Sequence, residues 1–229
     1  PPAEVLDISG SSVFLRDGQQ IIGTGNAISF EATGPNRISE LSKMWQELIR
    51  TAEIDNQSGL ANTGLIALTS ITFSESSAAP SLLYVPAVTR VYREGAAFEV
   101  VVEAEESEQA RLSPEGIFSE GVVSAEDFKT AVAAGISAIN STQLEKVVLG
   151  RDLVMPINAA PDLSRALTRL HEKYPKCWTY QIGNVFGASP ELLLRADAGE
   201  VSARVLAGTA GRGTDPDVDR AIADGLAHS

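Results

Sequence analysis

The chain reads as an α+β protein whose strands pair antiparallel, and three observations carry that reading. Turn dipeptides that supply positive φ, Asp17-Gly18, Glu94-Gly95 and Ala198-Gly199, each separate two β-prone runs. Successive hairpins with no helix between them can close only as antiparallel pairs. Between these groups lie segments whose apolar residues recur at helical spacing.

Taken in order, VFL and QQIIGTGNAISF, within Val5 to Phe30, open a sheet around Asp17-Gly18. Gly34-Pro35-Asn36 then punctuates. Ile38, Leu41, Trp45, Leu48, Ile49 and Ala52 fall on one face of an amphipathic helix expected to lie on a sheet. GLIALTSITF (64–73) reads as a largely buried strand and SESSAAPS as a surface loop. Leu82 to Arg93 and Ala97 to Glu103 make a second hairpin at Glu94-Gly95. The acidic run EAEESEQ beyond it reads as a solvated linker.

Ser124 and Asp127 stand near capping-box spacing before a helix with Phe128, Ala131, Val132, Gly135, Ile136 and Ile139 on one face. LEKVVLGRDLVM (144–155) has the β-branched density of a buried strand, yet carries Lys146 and Arg151. A third helix spans Asp162 to Tyr174, with Leu163, Ala166, Leu167, Leu170 and Tyr174 inward. Strands follow over Cys177 to Phe186, Glu191 to Ala196 and Glu200 to Leu206. Asp215-Pro216 announces a last helix, with Val218, Ile222 and Leu226 on its apolar face. The chain starts without Met and stops at Ser229 three turns into that helix, so the expectation is the N-terminal portion of a longer chain, forming one domain over 1–229.

Composition bounds the function. The 229 residues are 44% hydrophobic and 21% charged, enough for a sizeable core. Thirty acidic against 18 scattered basic residues give a net charge of −12, which argues against nucleic acid or an anionic membrane surface as partner. A small anionic ligand remains compatible, because local arrangement outweighs global charge inside a pocket. Cys177 is the single cysteine, and no Cys/His spacing suggests zinc. With no leader-like N-terminus and no run of 18 apolar residues, a soluble, cytoplasmic protein is expected, and a monomer is favoured.

Two charged residues stand out inside apolar runs. A desolvated lysine at 146 could lose its proton and serve as a base, and a desolvated carboxyl at Glu191, ahead of Leu192, Leu193 and Leu194, could keep its proton and serve as an acid. The plainer alternative puts Lys146 on the solvated face of a half-exposed strand and Glu191 at a strand's solvent edge. LAGTAGRG (206–213) lacks Walker and Rossmann spacing, but Gly208, Thr209 and Gly211 can present amide donors to a carboxylate, or simply form a turn. His171 reads as a surface residue, His228 belongs to the chain end, and Cys177 and Trp45 belong to the core.

With these residues in view, the chain resembles the chorismate-utilising enzymes. LEKVVLGR (144–151), FGASPELLLR (186–195), LAGTAGRG (206–213) and DxxxDR (215–220) run collinear with that family over Ser124 to Ser229. The N-terminal part resembles it in architecture and in PSLLYVP. The resemblance implies two antiparallel β-sheets packed face to face with helices on the outside. Members that deliver water to chorismate carry a lysine where Lys146 stands, and ammonia-using members typically a glutamine; the folate-type enzyme has a lysine at the place of Ala207. Both positions point to water, and by resemblance the chain looks like an isochorismate synthase, of menaquinone or siderophore type. By resemblance Lys146 is the general base for water attack at C2, Glu191 the general acid for the departing C4 hydroxyl, and Ala207, Gly208 and Thr209 line the substrate pocket. Arg151 and Arg195 are taken as structural. The family's Mg²⁺ ligands lie after the last helix, beyond Ser229, so the 229 residues alone are expected to be inactive. Salicylate synthase is the nearer alternative, though Ala210 stands where such members usually have arginine. A non-catalytic binding module is the more distant one.

Overall fold

SVFLR is β-prone, and in the computed structural model it forms strand β1 (Ser12–Arg16), in which burial alternates, with Val13 and Leu15 buried and Phe14 half-buried between them. The structure describes residues 8, 12–16, 18–60, 63–93, 95–103, 117–142, 144–157, 161–197, 199–203, 210–211, 213 and 215–227. By internal contacts the chain divides into two units, residues 1–107 with 165–229, and residues 108–164.

In the first unit Gly18, at φ 75°, turns β1 into β2 (Gln19–Thr24). β2 pairs antiparallel with β6 (Val88–Arg93), which turns at Gly95 into β7 (Ala96–Val101). β10 (Trp178–Ile182) and β11 (Val185–Ser189) form a further hairpin, and β10 lies against β1 with Val13 opposite Gln181 and Leu15 opposite Thr179. The result is a six-stranded antiparallel sheet ordered β11-β10-β1-β2-β6-β7. Ile22, Val91, Thr89 and Thr179 are buried in it with Val13 and Leu15.

A second antiparallel sheet has the order β3-β5-β4, from β3 (Ile28–Ala32), β4 (Leu68–Ser70) and β5 (Ser81–Val85). Helix α1 (Arg37–Thr51) closes over it, where Leu41 joins Ala32, Leu83 and Val85 in a buried cluster flanked by Trp45 and Leu48. Helix α3 (Ser164–Lys173) buries Leu167 completely. The pair β12 (Arg195–Asp197) and β13 (Glu200–Ser202) turns at Gly199, and helix α4 (Pro216–Ala227) starts at Asp215, whose Oδ1 accepts the amide of Asp217 at 2.8 Å. The second unit holds β8 (Ser119–Glu120), helix α2 (Ala125–Ser141) and β9 (Leu153–Val154), the two strands paired antiparallel. The class is therefore α+β with antiparallel sheets, as the turn chemistry predicts.

Several elements differ from expectation. The run from Leu82 to Arg93 is not one strand: it breaks at Pro86, so β5 and β6 belong to different sheets. The strand expected over 64–73 shortens to Leu68–Ser70. On α1, Ile38 and Ile49 are exposed rather than inward, because the buried stripe follows Leu41. Tyr174 likewise lies open.

Candidate active site

The segment bearing Lys146 departs most from its expected form. Residues 144–152 make no ladder among the described residues; only Leu153–Val154 is strand, and the whole of 144–154 is exposed. Apolar, β-branched composition suits a strand, but a strand exists only where a partner accepts its hydrogen bonds. Within the second unit this segment lies along α2. A Cβ on Gly135 would stand 3.1 Å from Val147 Cγ1 and 3.9 Å from Leu149 Cδ1. Val147 and Leu149 are 40% and 39% exposed, against 81% for Val148. Val147 and Leu149 therefore face α2 at Gly135, while Val148 between them turns to solvent.

Glu191 belongs to the first unit. β11 ends at Ser189, opposite Trp178 of β10, and Pro190 stops the ladder. The Ser189 hydroxyl shapes the turn that follows, accepting the Glu191 amide at 3.4 Å and lying 3.4 Å from the Glu191 carbonyl. Glu191 is exposed and precedes β12 by several irregular residues, with Leu193 92% exposed. The strand expected from Glu191 begins only at Arg195. The desolvation on which an acid's role was argued from sequence is thus not supplied by this unit. Lys146 stands in one unit and Glu191 in the other, and neither unit by itself brings them together.

Ala207, Gly208 and Thr209 lie outside the described residues. Their C-terminal flank is described, and it is anchored: the Gly213 amide donates to Asp219 Oδ1 at 3.0 Å. A Cβ on Gly213 would stand 2.9 Å from the Asp219 amide nitrogen and 3.0 Å from Val218 Cγ1, so only glycine fits without a shift. The DxxxDR spacing carried this signal, since Asp215 caps α4 and Asp219, one turn on, faces the same end. Asp215 is legible as the cap in the sequence; the bond from the Gly213 amide to Asp219 is what the structure adds. Among the described residues no three His, Cys, Asp or Glu side chains gather into a set that could hold a metal ion.

Sequence reasoning also missed a cleft of about 1000 Å³ on the six-stranded sheet, lined in part by Phe14, Arg16, Arg93, Trp178 and Arg195. Phe14 and Trp178 stack with ring centroids 4.7 Å apart, and the Arg16 guanidinium sits 4.9 Å over the Trp178 ring. Arg195 bonds Asp197 at 2.8 Å, and that hydrogen bond first, then the charges of Arg195 and Arg93, hold the Asp197 carboxyl below its ordinary range. Arg16 and Trp178 face each other across neighbouring strands, a pairing that only the β1–β10 register creates.

Comparison with known proteins then places the chain among relatives. The family model described as "Chorismate binding enzyme" matches residues 86–229. A protein of Aeromonas hydrophila named "Putative isochorismate synthase" is 31% identical over 151 residues, covering 64% of this chain and 38% of its own. The isochorismate synthase EntC of Escherichia coli K12 is 37% identical over 98 residues, 41% of this chain and 25% of that protein. The crystal structure of "putative 2,3-dihydroxybenzoate-specific isochorismate synthase, DhbC" from Bacillus anthracis aligns with 98% of this chain and 55% of its own at 22% identity, with a TM-score of 0.60, a likeness of fold. The chain spans less than two fifths of the length of these curated relatives.

Proposed function

The chain belongs to the chorismate binding enzyme family, and we propose that within it the whole protein works as an isochorismate synthase. The observation that carries this reading is the pair Lys146 and Glu191, both inside the matched residues 86–229 and both within motifs that resemble the family, with a lysine at 146 as in its water-using members. Relatives of that printed activity stand among its matches.

In the proposed reaction Lys146 takes a proton from water, whose oxygen bonds to C2 of chorismate. The ring double bonds shift, the C4–oxygen bond breaks, and Glu191 gives its proton to the departing hydroxyl. One water enters and one leaves, so the product is an isomer. A base and an acid working together need environments that push their proton affinities apart. Ala207, Gly208 and Thr209 would line the ring and its carboxylates. Mg²⁺, part of the same proposal, would neutralise the substrate's carboxylate charge; the described residues do not form its ligand set. Among the described residues no helix is long and apolar enough to cross a membrane, and a cytoplasmic site of action belongs to the proposal as well.

The test is to incubate the full-length protein with chorismate and Mg²⁺ and separate the products. Isochorismate alone supports the reading; salicylate with pyruvate replaces it with a salicylate synthase; no conversion points to a binding module. Lys146→Ala and Glu191→Gln should each lower kcat about 100-fold or more, and an unchanged rate in either removes that residue from its role.

A further inference from the structure

The Lys146 segment is held at one end by a set of polar contacts far larger than its two-residue ladder needs. The Asp152 carboxylate accepts the Val122 amide at 3.0 and 3.2 Å through its two oxygens. Arg151 Nε donates to the Val123 carbonyl at 3.2 Å, and its guanidinium reaches Glu120 Oε1 at 3.4 Å. That same Glu120 oxygen accepts the Ala125 amide at the start of α2 at 2.8 Å. The Ser119 hydroxyl donates to the Val154 carbonyl at 3.0 Å. Gly121 leaves the room this requires: a Cβ there would fall 2.1 Å from the Asp152 carboxyl carbon.

Contacts between exposed charged groups contribute little to stability, so their value here is geometric. Register is weakly specified in a ladder as short as β8–β9, and a one-residue slip in an extended segment exchanges its two faces. Such a slip would turn Val147 and Leu149 away from α2 and exchange the face on which Lys146 stands. Bonding of Asp152 to the Val122 amide and of Arg151 to the Val123 carbonyl fixes one register, because neighbouring side chains of opposite charge address an N–H and a C=O on either side of the 122–123 peptide.

We propose that Arg151 and Asp152 are positioning residues that lock the register of residues 144–154 against α2 and so fix the face on which Lys146 stands. The proposal rests on the reading of Lys146 as the base.

It is tested in the full-length protein with chorismate as substrate. Asp152→Ala and Arg151→Ala should each lower kcat about 10- to 100-fold, the cost of misplacing a catalytic group by about 1 Å, with KM within about twofold of the parent. The pH–rate profile should lose or displace the limb that Lys146 sets. Asp152→Asn keeps an oxygen for the Val122 amide and should recover most of the rate. Gly121→Ala, which evicts the Asp152 carboxylate, should reproduce Asp152→Ala. Far-UV circular dichroism separates these effects from loss of fold. Should Asp152→Ala unfold, Arg151→Ala decides alone. Parental kcat and pH profile in the folded alanine variants, with Lys146→Ala inactive, overturn the positioning role and leave the base assignment standing. An active Lys146→Ala overturns the base assignment, and the positioning role with it.

Discussion

Replacing Arg37 with alanine removes the contact that ties α1 to the loop before β5. Arg37 is the first residue of α1 and is buried at 7% exposure. Its guanidinium donates to the carbonyls of Thr72 at 3.0 Å, Phe73 at 2.9 Å and Gly34 at 3.1 Å. Each hydrogen bond from a charged donor contributes about 1.5–3 kcal/mol net, so three give a ceiling of roughly 4.5–9 kcal/mol. Two corrections lower it. The Phe73 and Gly34 carbonyls lie where water can replace the lost donor, and truncation relieves the cost of burying the cation, leaving about 2–4 kcal/mol. Urea unfolding followed by tryptophan fluorescence reads this directly, because both tryptophans, Trp45 and Trp178, lie in the first unit. With a slope of about 2 kcal/mol/M, the midpoint should fall by about 1–2 M. Arg37→Met keeps the apolar stem and should lose nearly as much, which assigns the effect to the hydrogen bonds rather than to packing. A midpoint within about 0.2 M of the parent for Arg37→Ala, or a fully stable Arg37→Met, refutes the reasoning.

Three further outcomes follow from the same structure. Thr179 is fully buried on β10 and its hydroxyl has no partner among the described residues, so Thr179→Val should hold or raise the melting temperature, by about 1 kcal/mol at most; a loss above about 1 kcal/mol would show that the hydroxyl is satisfied. Gly213→Ala forces a Cβ onto the α4 backbone and should cost about 1–3 kcal/mol while raising KM for chorismate in the full-length protein, with an unchanged melting curve and KM as the contrary result. The Asp197 carboxyl is held low mainly by Arg195; because its folded value lies below the unfolded one, the stabilisation is present above about pH 4 and is lost as pH falls through the folded value. Arg195→Ala should move the Asp197 carboxyl midpoint, followed by NMR, upward, and a midpoint that stays put would mean the partner is not Arg195.

Local chemistry made the hairpins and helices legible in the sequence. Gly18, Gly95 and Gly199 adopt the positive φ that their dipeptides imply, and Ser124 caps α2 with its hydroxyl on the Asp127 amide at 3.0 Å. What a strand pairs with was not legible. β1 and β10 lie at opposite ends of the chain, yet they are neighbours in the central part of the six-stranded sheet. Nothing in SVFLR names WTYQI as its partner, so the cleft with Arg16 over Trp178 stayed hidden. The same limit, in reverse, explains residues 144–152 and 191–194, where apolar composition announced strands that have no ladder partner among the described residues. The candidate residues Lys146 and Glu191 were visible as charges in apolar runs, and their exposure agrees with the plainer of the two readings, a solvated position for each; composition alone could not choose between the two, because burial depends on what lies across from them.

Lys146 and Glu191 are held by networks with no residue in common, and the two differ in kind. Glu191 takes its place from the end of β11, which among the described residues pairs with β10 alone, and β10 joins the rest of the sheet through its long-range ladder to β1. Lys146 takes its place from contacts within 119–154 that Arg151, Asp152 and α2 supply. A lesion in the β1–β10 seam, such as Val13→Ala, should therefore act through the stability of the first unit, at about 1–3 kcal/mol for the lost buried volume. It should spare the rate of the molecules that remain folded. A lesion at Asp152 should do the opposite, lowering turnover with little change in melting. Since the two sets share no partner among the described residues, their effects should add within about 0.5 kcal/mol. A strongly non-additive Val13→Ala, Asp152→Ala double variant would mean that the two networks communicate, and that the position of Lys146 is not fixed within its own unit.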